Sequence, residues 1–384
     1  MKQFLKKIAG IFEPVIRFWV FPFSYLGGKS EDFEKAFLWP VIKSYSKHSK
    51  DNFIQYTTLP KKAEKIKDEQ FETGLFKDHA IILQGPIREE ENFTLETVKL
   101  YIRCFPGVHV IISTWEGVND EIKNDILNAG GILVESRKPN ASGAGNINMQ
   151  LTSSLAGVKK AEEIGCKYSV KTRTDQRIYS NDFLQYFSNL VKLFPSSNTD
   201  TVRERIVYIS FGKSFRYLPF NLCDFISYGA TSELLKLYGV RQDERKADFH
   251  KQFEDDERSF NRMLFDSFES RNEATPYDIP DFEEKYYRYM YAEYYIVYCY
   301  FCENIYQLSR GDDLMDAYYT YLQNYAIIAD SEKILLYWPK YVTNIVKHET
   351  EIDFLAKLDF KKWLDIYVNY KPKQSWCNEA HADN

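Results

Sequence analysis

Apolar runs and amphipathic stretches alternate between residues 77 and 240, and this pattern predicts strands and helices in turn. His79–Gln84 holds an apolar run that Gly85 and Pro86 stop, as at the end of a buried strand. Similar runs follow at 108–113, 132–135, 167–172 and 206–210, with helical patterns at 93–105, 119–129, 149–165, 182–193 and 232–238. Apolar strands that alternate with helices predict an α/β fold with a mostly parallel sheet covered by helices.

The pattern divides the chain into four parts. Met1–Gly28 is basic, aromatic and amphipathic, which suits packing on its own domain and also suits contact with a membrane surface. Residues 29–76 are a polar, Lys-rich lead-in, and residues 77–240 are the α/β domain. Residues 241–384 are predicted as a helical, Tyr-rich region, an acceptor platform or a lid. Its aromatic side chains either form a helical core or stack on sugars.

Composition narrows the class of protein. The 384 residues are 44% hydrophobic and 27% charged, which is typical of a globular protein. The net charge of −5 argues against a nucleic-acid binder. No uncharged apolar stretch reaches about 18 residues, so no membrane-spanning helix is predicted. The six scattered cysteines suit reduced thiols, and we expect a cytoplasmic protein, with peripheral attachment to the inner membrane face as one option.

The carboxyl ends of the predicted strands carry the candidate binding residues. Ligands of open α/β sheets bind at that edge. The residues concerned are Gln84, Gly85 and Pro86 after the first strand, Thr114 and Trp115 after the second, and Thr172–Asp175 after the fourth.

Asp175 lies between Arg173 and Arg177 at the end of the fourth strand. One carboxylate with diphosphate oxygens is a usual environment for Mg²⁺-like ions, so Mg²⁺ or Mn²⁺ on Asp175 is one option. The two arginines suit bidentate binding of phosphate. A structural ion pair at a strand end is the alternative.

A Gly- and Asn-rich loop precedes the helix predicted at 149–165. Its residues Asn146 and Asn148, with Gln150, suit contact with a sugar or a phosphate near a helix start. Ordinary capping by Asn148 is the alternative. The sequence has neither a GxxxxGK[ST] loop nor a GxGxxG after its first strand, which argues against kinase-like and dinucleotide-binding proteins.

Asp224 precedes Tyr228-Gly229 in a predicted turn and is a candidate general base for an acceptor hydroxyl. A turn or cap aspartate is the alternative. Glu257 and Glu293 are weaker candidates because both lie in amphipathic helical patterns.

Five segments in this order resemble the WavE-type lipopolysaccharide synthesis family: Leu83–Pro86, Thr94–Tyr101, Ser113–Glu116, Asn146–Ser154 and Lys171–Arg177. The resemblance continues through Asp224–Gly229 and is weak beyond about residue 237. It implies a GT-A-like glycosyltransferase whose acidic motif follows the fourth strand, where Asp175 stands. The usual Asp-any-Asp motif reads Arg173-Thr174-Asp175 here, which puts metal dependence in doubt.

The resemblance implies transfer of a sugar from a nucleotide diphosphate sugar to a hydroxyl of a bacterial surface glycan, in lipopolysaccharide or capsule. A lipid-linked glycan is one option for the acceptor. Two alternatives stay open: a sugar-phosphate transferase that uses the same site, and a non-catalytic assembly factor at the membrane surface.

Overall fold

The computed structural model describes residues 39–48, 74–196, 202, 204–210, 216–252, 255–256, 281–288, 292–339, 357–373 and 376. The chain divides into two compact units, Met1–Leu59 and Pro60–Asn384. The described part of the first unit is one helix, α1 (Trp39–His48). Met1–Gly28, Glu257 and the side chain of Glu293 lie outside the described residues, so the expectations about them stay predictions.

The second unit holds the α/β fold. Its strands are β1 (His79–Gln84), β2 (His109–Trp115), β3 (Ile132–Ser136), β4 (Tyr168–Arg173), β5 (Arg177–Ile178), β6 (Ile206–Ser210), β7 (Ser227–Ala230), β8 (Ala326–Asp330) and β9 (Leu336–Tyr337). Its helices are α2 (Phe93–Cys104), α3 (Asp120–Asn128), α4 (Ile147–Glu163), α5 (Phe183–Leu193), α6 (Thr231–Tyr238), α7 (Phe249–Gln252), α8 (Phe282–Arg288), α9 (Ala292–Asn304), α10 (Leu314–Asn324), α11 (Ser331–Ile334) and α12 (Phe360–Asn369).

Seven strands form the central sheet in the order β3-β2-β1-β4-β7-β6-β8. Strands β1 to β4 are parallel to one another, β6 is parallel to β8, and β7 is antiparallel to both β4 and β6. The predicted mostly parallel sheet with flanking helices is therefore confirmed. A second, two-stranded sheet pairs β5 with β9.

Strand β8 is an element that the sequence pattern did not predict. It comes from the C-terminal region that was expected to be helical, and it pairs with β6 in the central sheet. Its short apolar run follows a Tyr-rich helix directly, and periodicity alone does not separate such a run from helix.

Helix α4 packs closely on the sheet because it carries a glycine at the contact. A Cβ at Gly157 would lie 2.4 Å from Cγ2 of Ile82 and 3.1 Å from Cβ of Ser113. A larger residue there would force α4 away from β1 and β2. This contact fixes the start of α4, where Gln150 and Ser153 lie, relative to the end of β1.

The aromatic side chains of α9 and α10 form a core. The ring of Phe220 lies 5.8 Å from that of Tyr298, 5.2 Å from Phe301 and 5.6 Å from Tyr318, and all four residues are buried. Offset and edge-to-face aromatic pairs of this kind stabilise a core beyond their buried area. For these residues the packing supports a helical core and not a surface that stacks on sugars.

Candidate functional site

The site lies at the carboxyl ends of β1 and β4. Gln84, the last residue of β1, is in register with Arg173, the last residue of β4. On the other side, Lys171 of β4 is in register with Ser227, the first residue of β7. Because β7 is antiparallel, the segment before it, with Asp224, reaches the same edge. Sheet topology thus brings together residues from three separate parts of the sequence.

Hydrogen bonds around Thr174 join the turn after β1 to the turn after β4. The Thr174 hydroxyl donates to the carbonyl of Pro86 at 2.6 Å, and its backbone N–H donates to that of Gln84 at 3.1 Å. The hydroxyl of Thr94 in turn donates to the carbonyl of Thr174 at 3.0 Å. Gly85 has φ +118°, a conformation that favours glycine, and a Cβ there would lie 3.3 Å from the Thr174 hydroxyl. The turn formed by Gly85 and Pro86 is therefore held against the turn after β4.

Asp175 binds Arg173 and Trp338 with both of its carboxylate oxygens. Arg173 Nε donates to Oδ1 at 2.8 Å and Nη2 donates to Oδ2 at 3.2 Å, a bidentate pair. Trp338 Nε1 donates to Oδ2 at 3.1 Å. Burial raises the pKa of Asp175, but the hydrogen bonds and charge of Arg173, with the Trp338 hydrogen bond, lower it below the usual value overall.

Trp338 was not predicted as a site residue, because its place depends on the pairing of β9 with β5. Its ring lies 5.2 Å from Cζ of Arg173 and 4.6 Å from the ring of Phe225. Arg173 is therefore held between a carboxylate and an aromatic face. Only knowledge that β5 pairs with β9, two strands far apart in the sequence, would have placed Trp338 at the site.

Asp224 is fixed through its backbone carbonyl. Lys171 Nζ donates to that oxygen at 2.7 Å and Gln150 Nε2 donates to it at 3.1 Å. Lys171 is fully buried, and burial, together with the charge of Arg173, lowers its pKa to about 8 although the charge of Asp224 opposes the shift. Two donors from β4 and α4 thus set the position of the Asp224 turn.

About half of the buried polar side-chain atoms that have no hydrogen-bond partner in the described part of the chain belong to residues near the ends of strands at this edge. In the described part they include Gln84 Oε1, Asp224 Oδ1, Gln176 Nε2, Ser210 Oγ and both polar side-chain atoms of Asn221. Gln84 and Ser210 end β1 and β6, Gln176 follows β4, and Asn221 and Asp224 precede β7. An unsatisfied buried polar group costs about 1–3 kcal/mol, so each such group calls for an explanation, such as a catalytic role or a bound water or ligand.

Two of the predicted site residues are committed elsewhere. Arg177 is 1% exposed, and its guanidinium donates to Thr97 Oγ1 at 2.9 Å and to the carbonyl of Phe93 at 3.0 Å. Asn148 is also buried, and its amide bonds with the backbone of Asp243 through Nδ2 at 2.8 Å and Oδ1 at 2.7 Å. In this conformation neither side chain is exposed to a ligand, and Asn148 does not cap α4 either.

The other predicted residues lie farther along the same edge. Thr114 is 2% exposed near the end of β2, whereas Trp115, its last residue, is partly exposed. Asn146 is exposed in the left-handed conformation, with φ 68°, directly before α4, and its side chain makes no capping hydrogen bond. Trp115 and Asn146 are therefore accessible to a ligand, and Thr114 is not.

The donor set around Asp175 does not fit a resident divalent cation. Three hydrogen bonds from Arg173 and Trp338 use most of the acceptor capacity of this carboxylate, and the adjacent Arg173 charge would repel a cation. Among the described residues, no group of three or more His, Cys, Asp or Glu side chains is placed to hold a metal ion.

Comparison with known proteins identifies the class and then the family. An α/β sheet with a charged, partly unsatisfied carboxyl edge is the architecture of a ligand-binding α/β protein. The model of the WavE lipopolysaccharide synthesis family matches residues 80–380. The chain belongs to this family. No curated protein matches it.

Two solved structures show only distant likeness. A cytidylyltransferase from Leptospira borgpetersenii serovar Hardjo-bovis has 15% identity and a TM-score of 0.26, with 43% of this chain and 65% of that chain covered. A mannose-1-phosphate geranyltransferase from Thermus thermophilus has 11% identity and a TM-score of 0.22, with 42% and 52% covered. This chain thus spans less than two thirds of either, and likeness at this level carries no argument about activity.

None of the helices in the described ranges is long and apolar enough to cross a membrane.

Proposed function

We propose that this chain is a glycosyltransferase that moves a sugar from a nucleotide diphosphate sugar to a hydroxyl of a bacterial surface glycan. Membership of the WavE lipopolysaccharide synthesis family supports the glycan product. The observation that carries the proposal is the group of unpartnered buried polar atoms at one sheet edge, beside the Arg173–Asp175 pair.

Each part of this edge has a role in the proposed reaction. The nucleotide lies over Gln84, Gly85 and Pro86, with Trp115 at one side. Arg173 binds the diphosphate and so stabilises the charge that develops on the leaving group. Asn146 and Gln150 lie beside the donor sugar.

Asp224 is the general base in this proposal. Asp224 is partly exposed as a residue, and its Oδ1 makes no hydrogen bond within the chain, so the carboxylate is not committed to another partner. A lipid-linked acceptor would bring the enzyme to a membrane surface, and contact through Met1–Gly28 is one of the two options for that segment.

Product identity tests the proposal. The full chain is incubated with uridine, guanosine and thymidine diphosphate sugars and a lipopolysaccharide-precursor extract, and the released nucleotide is measured. Release of a nucleoside diphosphate with labelled glycan is the expected result. Release of a nucleoside monophosphate would indicate a sugar-phosphate transferase instead. Absence of both release and nucleotide binding would support the non-catalytic assembly factor.

A further inference from the structure

We propose that Arg173, held by Asp175 and Trp338, binds the donor diphosphate directly, and that this binding uses no divalent cation on Asp175. The inference rests on the proposed function and deepens it by naming the positive charge that the diphosphate meets. Asp175 and Trp338 are then positioning residues, because they act through Arg173.

The first argument is the use of the Asp175 carboxylate. Oδ1 accepts from Arg173 Nε at 2.8 Å, and Oδ2 accepts from Arg173 Nη2 at 3.2 Å and Trp338 Nε1 at 3.1 Å. Mg²⁺ binds carboxylate oxygens at about 2.0–2.1 Å with near-octahedral geometry. An ion on this carboxylate would compete with these donors for the oxygen lone pairs, and the Arg173 charge would repel it.

The second argument is the fixed orientation of Arg173. The carboxylate holds one edge of its guanidinium, and the Trp338 ring lies 5.2 Å from Cζ. Phe225 packs edge-on against that ring at 4.6 Å, so the ring is itself held in place. A planar guanidinium whose orientation is set in advance loses little entropy when it binds phosphate, and it stays charged at every working pH.

The third argument is exposure. The Arg173 side chain is 26% exposed, and that of Asp175 is 22% exposed. Arg173 ends β4 at the edge where ligands of such sheets bind. Arg177, by contrast, is only 1% exposed. The two arginines of the motif therefore have different roles.

Lys171 supplies an independent readout. It lies two residues before Arg173, and therefore on the same face of β4. Burial and the Arg173 charge lower its pKa to about 8. A diphosphate held on Arg173 without a metal adds negative charge nearby, which raises the pKa of Lys171 and draws a proton from the buffer at pH 8–9.

The test is calorimetric titration of the full chain with the diphosphates of uridine, guanosine, adenosine, cytidine and thymidine. Each is titrated in EDTA and in excess Mg²⁺ or Mn²⁺. We expect one nucleotide to bind in EDTA, with a Kd that excess Mg²⁺ or Mn²⁺ does not lower. Buffers of different ionisation enthalpy should show proton uptake at pH 8.5, and this uptake should disappear in Lys171→Met.

Variants separate the roles of the residues. Arg173→Gln should raise Kd by about tenfold or more, equivalent to about 1.4 kcal/mol. Asp175→Asn and Trp338→Phe should raise Kd less, and equally with and without metal, because each loosens Arg173 without removing it. Arg103→Gln, an exposed arginine in the last turn of α2, is the matched control and should bind as the wild type does. Circular dichroism checks that every variant is folded.

Two outcomes would overturn the inference, and they differ. Binding that requires Mg²⁺ or Mn²⁺ and is lost in Asp175→Asn, with Arg173→Gln close to wild type, would place a cation on Asp175 and leave the proposed function intact. Failure of every nucleoside diphosphate to bind, with or without metal, would remove the proposed function and the inference together.

Discussion

Trp338 Nε1 donates a 3.1 Å hydrogen bond to Oδ2 of Asp175, although 163 positions separate the two residues. The contact follows from the antiparallel pairing of β9 with β5, in which Tyr337 is opposite Arg177. Trp338 comes directly after β9, and Asp175 comes two residues before β5, so the pairing brings them together. The C-terminal region therefore contributes Trp338 to a site whose charged residues, Arg173 and Asp175, lie at the end of β4 and just after it.

We expect Trp338→Phe to lower the free energy of unfolding by about 1 kcal/mol, since it removes one hydrogen bond and keeps a ring against Arg173. Combined with Asp175→Asn in a double-mutant cycle, the coupling should be about 0.5 kcal/mol or more. Urea denaturation of the four proteins measures it. Additive effects would show that this hydrogen bond contributes nothing to stability.

The Arg173–Asp175 pair should make stability depend on pH. The folded pKa of Asp175 lies below the ordinary 3.8, so its contribution is present above pH 3.8 and is lost as the pH falls through the folded pKa. At pH 7 the free energy of unfolding of the wild type should exceed that of Asp175→Asn by about 2 kcal/mol, the usual contribution of hydrogen bonds to charged groups. The difference should shrink in denaturation curves measured below pH 3.8.

An exposed pair is the control for this titration. Arg137 Nε lies 3.2 Å from Glu116 Oε1, with side chains 88% and 55% exposed. Exposed pairs contribute about 0–1 kcal/mol, so Glu116→Gln should change the free energy of unfolding little at pH 7. A constant difference between wild type and Asp175→Asn across the titration would contradict the prediction.

Local patterns were enough to predict the first half of the fold. The run at His79–Gln84 and that at Ile206–Ser210 have the bounds of β1 and β6, because glycine, proline and helix signals delimit apolar runs clearly. Strand β8 was not predicted, because no glycine or proline separates it from the Tyr-rich helical sequence that precedes it. A strand that is buried on both faces of a sheet is a continuous apolar run. Such a strand can be recognised in the sequence only where turn residues mark its ends.

The site could be predicted only as far as topology fixes it. Placing Gln84 and Arg173 together needed only the rule that parallel strands end at one edge. Arg173 and Arg177 have different environments because their side chains face different partners. Arg177 contacts Thr97 and Arg173 contacts Trp338, and both partners are far away in the sequence. Sequence spacing contains no information on those partners.

Lys171 should give the protein a second pH dependence. Its folded pKa is about 8 against 10.5 in the unfolded chain, so the unfolded state binds more protons between these values and stability rises with pH. That gap corresponds to about 3 kcal/mol. Relative to Lys171→Met, wild type should therefore gain stability between pH 7 and pH 9.5 in urea denaturation.

Lys160 offers the matched control, since it pairs with Glu163 at 2.8 Å on the surface of α4. Lys160→Met should change the free energy of unfolding by only about 0–1 kcal/mol, as is usual for a surface pair. A constant difference for Lys171→Met over the same pH range would mean that Lys171 is protonated alike in both states.

Asp224→Asn should separate catalysis from binding. The amide keeps the shape of the turn and leaves the backbone carbonyl to Lys171 and Gln150, but it cannot accept a proton. Turnover should fall by about 10²–10⁴, the usual contribution of a general base, while the Kd of the nucleoside diphosphate stays the same. Asp182→Asn at the start of α5 is the control. Unchanged turnover would make Asp224 a turn residue only.

Arg177 should affect stability and not binding, in contrast to Arg173. Its guanidinium bonds with Thr97 and the carbonyl of Phe93, and Cζ lies 4.3 Å from the Phe93 ring. Arg177→Met should therefore lower the free energy of unfolding by about 2–3 kcal/mol, the loss of hydrogen bonds to a charged group. The Kd of the nucleoside diphosphate, measured below the unfolding transition, should match wild type. A raised Kd with unchanged stability would instead return Arg177 to the phosphate-binding pair that the sequence predicted.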